Sequence, residues 1–154
     1  MRGLWLFIHV SGVIVWLGAG MASMIAGVVA KRFASAQRLA VYRAVGAVHR
    51  GLIRPGAVAA VVSGFALLGP IMASGGMAAA GMWMNVMMGA GTVGALLVVF
   101  LSVPTASKLG RLEPDARGEL PETFARLRKR QVIGASIAGG MGILALIAAT
   151  ILRN

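Results

Sequence analysis

Residues 4–30 read LWLFIHVSGVIVWLGAGMASMIAGVVA, and Lys31-Arg32 come directly after. The run contains no Lys, Arg, Asp or Glu, and a helix needs only about 20 apolar residues to cross a bilayer core. Three further stretches have the same character, at residues 51–73, 77–103 and 132–152. With 58% hydrophobic residues and a mean hydropathy of +0.86, a soluble chain of this size has too little interior to hide its apolar surface. The expected architecture is all-α, a single integral membrane four-helix bundle occupying residues 1–154.

The charges are distributed by topology. Six bases lie between Lys31 and Arg54 and seven between Lys108 and Arg130, while Arg2 and Arg153 stand near the two ends. All four acids (Glu113, Asp115, Glu119 and Glu122) fall in the second basic segment, and residues 69–76 carry no charge. By the positive-inside rule, both basic segments are cytoplasmic. Both termini and the 69–76 turn are then outside, on the periplasmic face of a bacterial-type inner membrane. On a soluble protein a net charge of +11 points to nucleic acid. Here the bases flank apolar spans, so the expected partners are membrane lipids and not nucleic acid. The first 30 residues also have the look of a signal peptide, with Arg2 and the small-residue patch Gly18–Ser23. The apolar run is too long for that and ends on Lys31-Arg32, so a retained span is expected. There is no cysteine, which excludes disulfides, iron–sulfur clusters and c-type haem attachment.

Small residues recur at four-residue spacing: Ala19, Ser23, Gly27; Gly56, Ala60, Gly64; Gly134, Ala138, Gly142. Such stripes let helix backbones approach closely in lipid. Ser35 is placed to cap a helix running into the second span, with Pro55 kinking it. Pro104 and Pro114 mark the end region of the third, and Pro121-Glu122 open the fourth. Gly69-Pro70 and Gly75-Gly76 bracket the outer turn. Arg43, Arg50 and Arg54 share a helical face at i, i+7 and i+11. They are read either as anchors for anionic headgroups or as a cradle for an anionic ligand such as haem propionates.

His9 is the main candidate for chemistry, because ionisable residues within a span are costly and tend to be functional. On a helix it shares a face with Gly12, Trp16 and Gly20, a surface suited to a planar macrocycle with His9 as axial ligand. The alternative is a neutral histidine bonded to a neighbouring helix. His49 lies near the opposite membrane edge, so the two histidines do not ligate one iron. Met72, Met77, Met82, Met84, Met87 and Met88 cluster around the outer turn. Thioethers are soft ligands for Cu(I) or a sixth ligand for haem iron, and also ordinary packing residues. Asn85 shares a mildly polar face with Gly81, Met88 and Thr92, available to a cofactor edge or a second helix. No carboxylate lies in a span, which argues against a carboxylate proton relay.

The stretch His9-Val-Ser-Gly-Val-Ile-Val-Trp16-Leu-Gly-Ala-Gly20 resembles the first helix of HemJ-type membrane proteins. Arg50-Gly-Leu-Ile-Arg-Pro55, with Gly64 and Leu67-Leu68, is similar to that family's second helix. CopD-like and uncharacterised four-helix membrane families share these features, and Val103-Pro104 closing the third helix fits the last group. The resemblance implies a four-helix bundle binding haem b through His9. HemJ-type enzymes oxidise protoporphyrinogen and carry a lysine shortly after a helix-three tryptophan. Here Trp83 is followed by Met84, Asn85, Val86 and Met87, without the lysine.

The leading expectation is haem b in a redox or electron-transfer role. Its site would comprise His9, Trp16, Met84, Asn85, Met88 and Arg54, with iron ligated by His9 and by Met84 or Met88. Two readings stand beside it: a Cu(I) site on the same His9, Met84 and Met88, and a cofactor-free accessory subunit held in a larger complex or a homo-oligomer.

Overall fold

The computed structural model describes residues 1–73, 75 and 81–152, without the side chains of Ile71 and Met72. Among the described residues it is all-helical. Helix α1 spans Arg2–Val29 and closes with a 3₁₀ turn, Ala30–Arg32. Helix α2 (Ser35–Val48) runs through a π-turn (His49–Ile53) into α3 (Arg54–Ala73). Helix α4 (Gly81–Leu97) runs likewise through a second π-turn (Val98–Ser102) into α5 (Val103–Leu109), and α6 covers Thr123–Ile151. These make four rods, each long and apolar enough to cross a membrane.

The rods extend further at their basic ends than the apolar stretches do. The expected Ser35 cap is not made: α2 begins at Ser35 without a side-chain cap bond. The guanidinium of Arg38 instead donates to the carbonyls of Ala30, Lys31 and Phe33, satisfying the orphan acceptors of the preceding turn. Pro104 does not end the third rod, which continues to Leu109, and Pro70 lies inside α3. Thr123 opens α6, with Pro121 supplying a carbonyl to Phe124 N–H just before it.

The two prolines explain the π-turns. A proline inside a helix has no N–H and its ring collides with the carbonyl four residues back. Each π-turn ends two residues before a proline, Ile53 before Pro55 and Ser102 before Pro104. Widening the helix by one residue there moves that carbonyl aside. The extra residue also rotates the remainder of the rod by roughly 100°, so the regular spacing of Arg43, Arg50 and Arg54 does not hold one face through the turn.

Packing is uneven along the bundle. Helix α1 packs chiefly along α3, and α4 chiefly along α6, while the contacts of α3 with α4 and of α1 with α6 are few. Glycines set the close approaches. A Cβ on Gly12 would lie 2.7 Å from Ala60 N and 2.8 Å from Gly56 O, and one on Gly142 would lie 2.7 Å from Leu17 Cδ2. The stripe Gly134, Ala138, Gly142 is buried on α6. In α1 the buried contact residues are Gly12 and Trp16, while Ala19, Ser23 and Gly27 are only half-covered.

The two helix pairs are pinned together in the middle and at the basic end. Trp16, Ile53, Ala57, Ala60, Ala95, Val98, Val103 and Ala138 form one core cluster. Ala30, Leu39, Tyr42, Leu109 and Phe124 form a second, with Tyr42 and Phe124 meeting edge to face at 5.2 Å. Between α5 and α6, Asp115 Oδ1 accepts from the N–H groups of Arg117 and Glu119, and Gly118 adopts φ +76. One of the four acids therefore shapes a turn.

Candidate functional site

Because the pairs α1–α3 and α4–α6 touch little at the end away from the basic segments, a cavity of about 310 Å³ opens between them. His9, Trp16 and Leu17 of α1 line it with Gly64 of α3, Met84, Met87 and Met88 of α4, and Gly142 of α6. Arg2 contributes the one cationic side chain in this lining. The volume sits at the low end of the range for small-molecule sites, in walls of thioether and leucine that repack readily.

His9 is seated from behind by α3. Its Nδ1 lies 2.7 Å from the Ala60 carbonyl oxygen, with the Ser63 hydroxyl at 3.4 Å. A carbonyl only accepts, so Nδ1 carries the proton and donates. This fixes the tautomer and leaves Nε2 as a lone-pair donor atom, without a hydrogen-bond partner among the described residues. Fixing one ring nitrogen by a backbone carbonyl is how proteins orient a ligating histidine. Gly64 is required there, because a Cβ would stand 3.2 Å from His9 Cε1 and 3.3 Å from Nδ1. Trp16 is buried two turns further along α1, its ring edge 3.0 Å from where a Gly94 Cβ would be. It forms the floor between the cavity and the core cluster.

The structure brings together four of the six residues expected at the site: His9, Trp16, Met84 and Met88, joined by Met87. Asn85 and Arg54 do not line this cavity. The Asn85 side chain is exposed and donates to the Gly81 carbonyl of its own helix at 3.0 Å. Arg54 is exposed where α3 begins. Of the remaining methionines, Met82 is 67% exposed. Met77 and the side chain of Met72 lie outside the described residues.

A second polar centre lies between the two π-turns. His49 opens one turn, Ser102 closes the other, and Gln131 of α6 reaches between them. His49 Nδ1 donates to Val45 O at 2.9 Å; Gln131 Nε2 donates to His49 Nε2 at 2.8 Å and to Ser102 Oγ at 2.9 Å. All three residues are buried, and Gln131 Oε1 has no partner among the described residues. Sequence reasoning places His49 at an interface and passes over Gln131, which comes after the run Arg126–Arg130. A signal is present: Gln131 precedes Gly134, Ala138 and Gly142 by three, seven and eleven residues, on the face that packs.

No group of three or more His, Cys, Asp or Glu able to hold a metal occurs among the described residues. His9 brings an imidazole, and Met84, Met87 and Met88 bring thioethers, to the lining of one cavity; both are ligand types that haem iron and Cu(I) accept. Comparison with family models, curated proteins and solved structures gave no match.

Proposed function

We propose that this chain is an inner-membrane four-helix protein, with both basic segments cytoplasmic and both termini periplasmic, that binds haem b in its outer cavity for a redox or electron-transfer role. Membrane insertion is supported by four apolar rods that keep large side chains such as Phe7, Ile14, Ile25, Phe100 and Ile147 on their surface, a display no soluble monomer of this size sustains. Thirteen bases in two segments against one near each terminus support the orientation.

The single observation that carries the ligand is the posture of His9. Its Nδ1–H is tied to a carbonyl, its other nitrogen has no hydrogen-bond partner among the described residues, and the residue lines a cavity together with three thioethers. In this reading His9 would hold the iron together with Met84 or Met88, Trp16 would help to wall the macrocycle and Arg2 would meet an anionic substituent. Bound haem would supply one-electron chemistry. The chain's own contribution is to orient the imidazole through Ala60 and to surround the ring with largely apolar walls.

The test is the visible spectrum of detergent-extracted protein. A Soret band that His9→Ala abolishes is expected; no band, or one untouched by His9→Ala, overturns the proposal. One observation favours a second reading, Cu(I) handling. Met84, Met87 and Met88 all line the cavity with His9, and three soft donors with an imidazole suit Cu(I). Stoichiometric copper after Cu(I) loading, lost in a Met84→Leu/Met88→Leu double variant, would select it over haem.

A further inference from the structure

A second recess, at the basic end, is built differently from the cavity. It lies between α2 and α6 and is lined by Arg38, Arg128, Lys129, Phe124, Val132 and Ile133, among others, with a volume of about 560 Å³. Its upper part is cationic. Its lower part is apolar, at the point where α6 passes from the run Arg126–Arg130 to Val132-Ile133, both about half exposed. Ala125, Lys129, Val132 and Ile133 fall at i, i+4, i+7 and i+8, one face of the helix.

Its two guanidinium groups are held in place rather than waving in solvent. Arg38 is tied through Nε and Nη2 to three backbone carbonyls. Arg128 Nε donates to the Tyr42 hydroxyl at 2.8 Å, and Tyr42 is itself locked against Phe124. None of these bonds goes to a carboxylate, so neither charge is neutralised by them. Arginine has five N–H donors. Arg38 keeps Nη1 unused, and Arg128 keeps both Nη groups, among the described residues. Pre-positioned guanidiniums of this kind suit a phosphate oxyanion, which accepts paired N–H bonds.

We propose that this recess is a binding site for an anionic phospholipid of the cytoplasmic leaflet. The phosphodiester sits against Arg38, Arg128 and Lys129, and the acyl chains descend along Val132 and Ile133. The apolar lower half is what a soluble phosphate or nucleotide does not use, and the uncompensated cations are what a zwitterionic lipid, carrying its own ammonium, satisfies least. The site is independent of whatever fills the outer cavity. It rests on the bundle spanning a membrane, which glycosylation or cysteine-labelling topology reporters at the termini check separately.

The experiment is native mass spectrometry of the full-length protein in detergent, titrated with dioleoylphosphatidylglycerol, dioleoylphosphatidylcholine or soluble glycerol phosphate. Phosphatidylglycerol should bind about tenfold more tightly than phosphatidylcholine, one charge-assisted hydrogen bond's worth. Arg128→Gln should erase that preference, Lys129→Gln should reduce it several-fold, and an Arg111→Gln/Arg117→Gln control of greater charge loss should leave it unchanged. If Arg128→Gln does not fold, Arg128→Lys, which keeps the charge but loses the fork, should reduce the preference at least as far as Lys129→Gln does, and a wild-type preference in Arg128→Lys overturns the proposal. Equal binding of the two lipids, or equal losses in site and control variants, overturns the proposal. So does displacement of the lipid by glycerol phosphate, which would mark a site for a free anion.

Discussion

The two histidines of this chain sit in opposite circumstances. His49 is 3% exposed and both ring nitrogens are engaged, one with Val45 O and one with the Gln131 amide. His9 is only half-buried, lines a cavity and has one nitrogen engaged, the other having no hydrogen-bond partner among the described residues. Chemically they are the same side chain, and each is anchored by a backbone carbonyl. The unfilled valence separates them: His49 completes a joint between helices, while His9 offers a ligand atom. A buried polar residue is therefore no guide to function until its partners have been counted.

The strongest way to break this contrast is at the joint. His49→Leu should lower stability by about 2 kcal/mol, because the Gln131 amide loses an acceptor in a space that water does not reach. Thermal unfolding in detergent reads this. The pair His49→Leu/Gln131→Leu should recover most of the loss, since removing both partners also removes the orphan Oε1. If His49→Leu alone is neutral, the joint is not what holds the π-turns together. His9→Leu, in comparison, should cost no more than about 1 kcal/mol, one ordinary hydrogen bond, while removing all cavity ligand binding.

Gly64→Ala sharpens the comparison from the other side. A methyl 3.2 Å from the His9 ring forces the imidazole to shift by a few tenths of an ångström. Ligand occupancy should fall several-fold with unfolding temperature nearly unchanged, as followed by the ratio of chromophore to protein absorbance. The smallest effect is expected from Asn85→Ala. Its side chain bonds only its own helix and faces outward, so spectrum and stability should both stay within error of wild type. A changed spectrum would mean that Asn85 turns inward when the cavity fills.

Much of this is readable from residue order. The four rods derive from apolar runs, and the grouping of His9 and Trp16 with Met84 and Met88 derives from helical phase and depth. What is not readable has several causes. The π-turns before Pro55 and Pro104 add a residue to the helical count, and a proline does not by itself say that the helix widens, since Pro70 lies in α3 without a π-turn. Counting through His49–Ile53 at 3.6 residues per turn puts Arg43, Arg50 and Arg54 on one face; taking Pro104 as a terminus cuts α5 from its rod. Asn85 reads as inward because amides in spans are costly, yet a helix end offers an amide its own carbonyls. Gln131 escapes notice because five residues of a basic run precede it, although its phase with Gly134 and Ala138 is there to be seen.

Between the two histidines lies the core cluster of Trp16, Ile53, Ala57, Ala60, Ala95, Val98, Val103 and Ala138, without a polar side chain in it. Trp16 belongs both to this cluster and to the wall of the cavity. A guest in the cavity would therefore press on the same side chain that fastens the two helix pairs to each other, so that filling the space and tightening the bundle are one event.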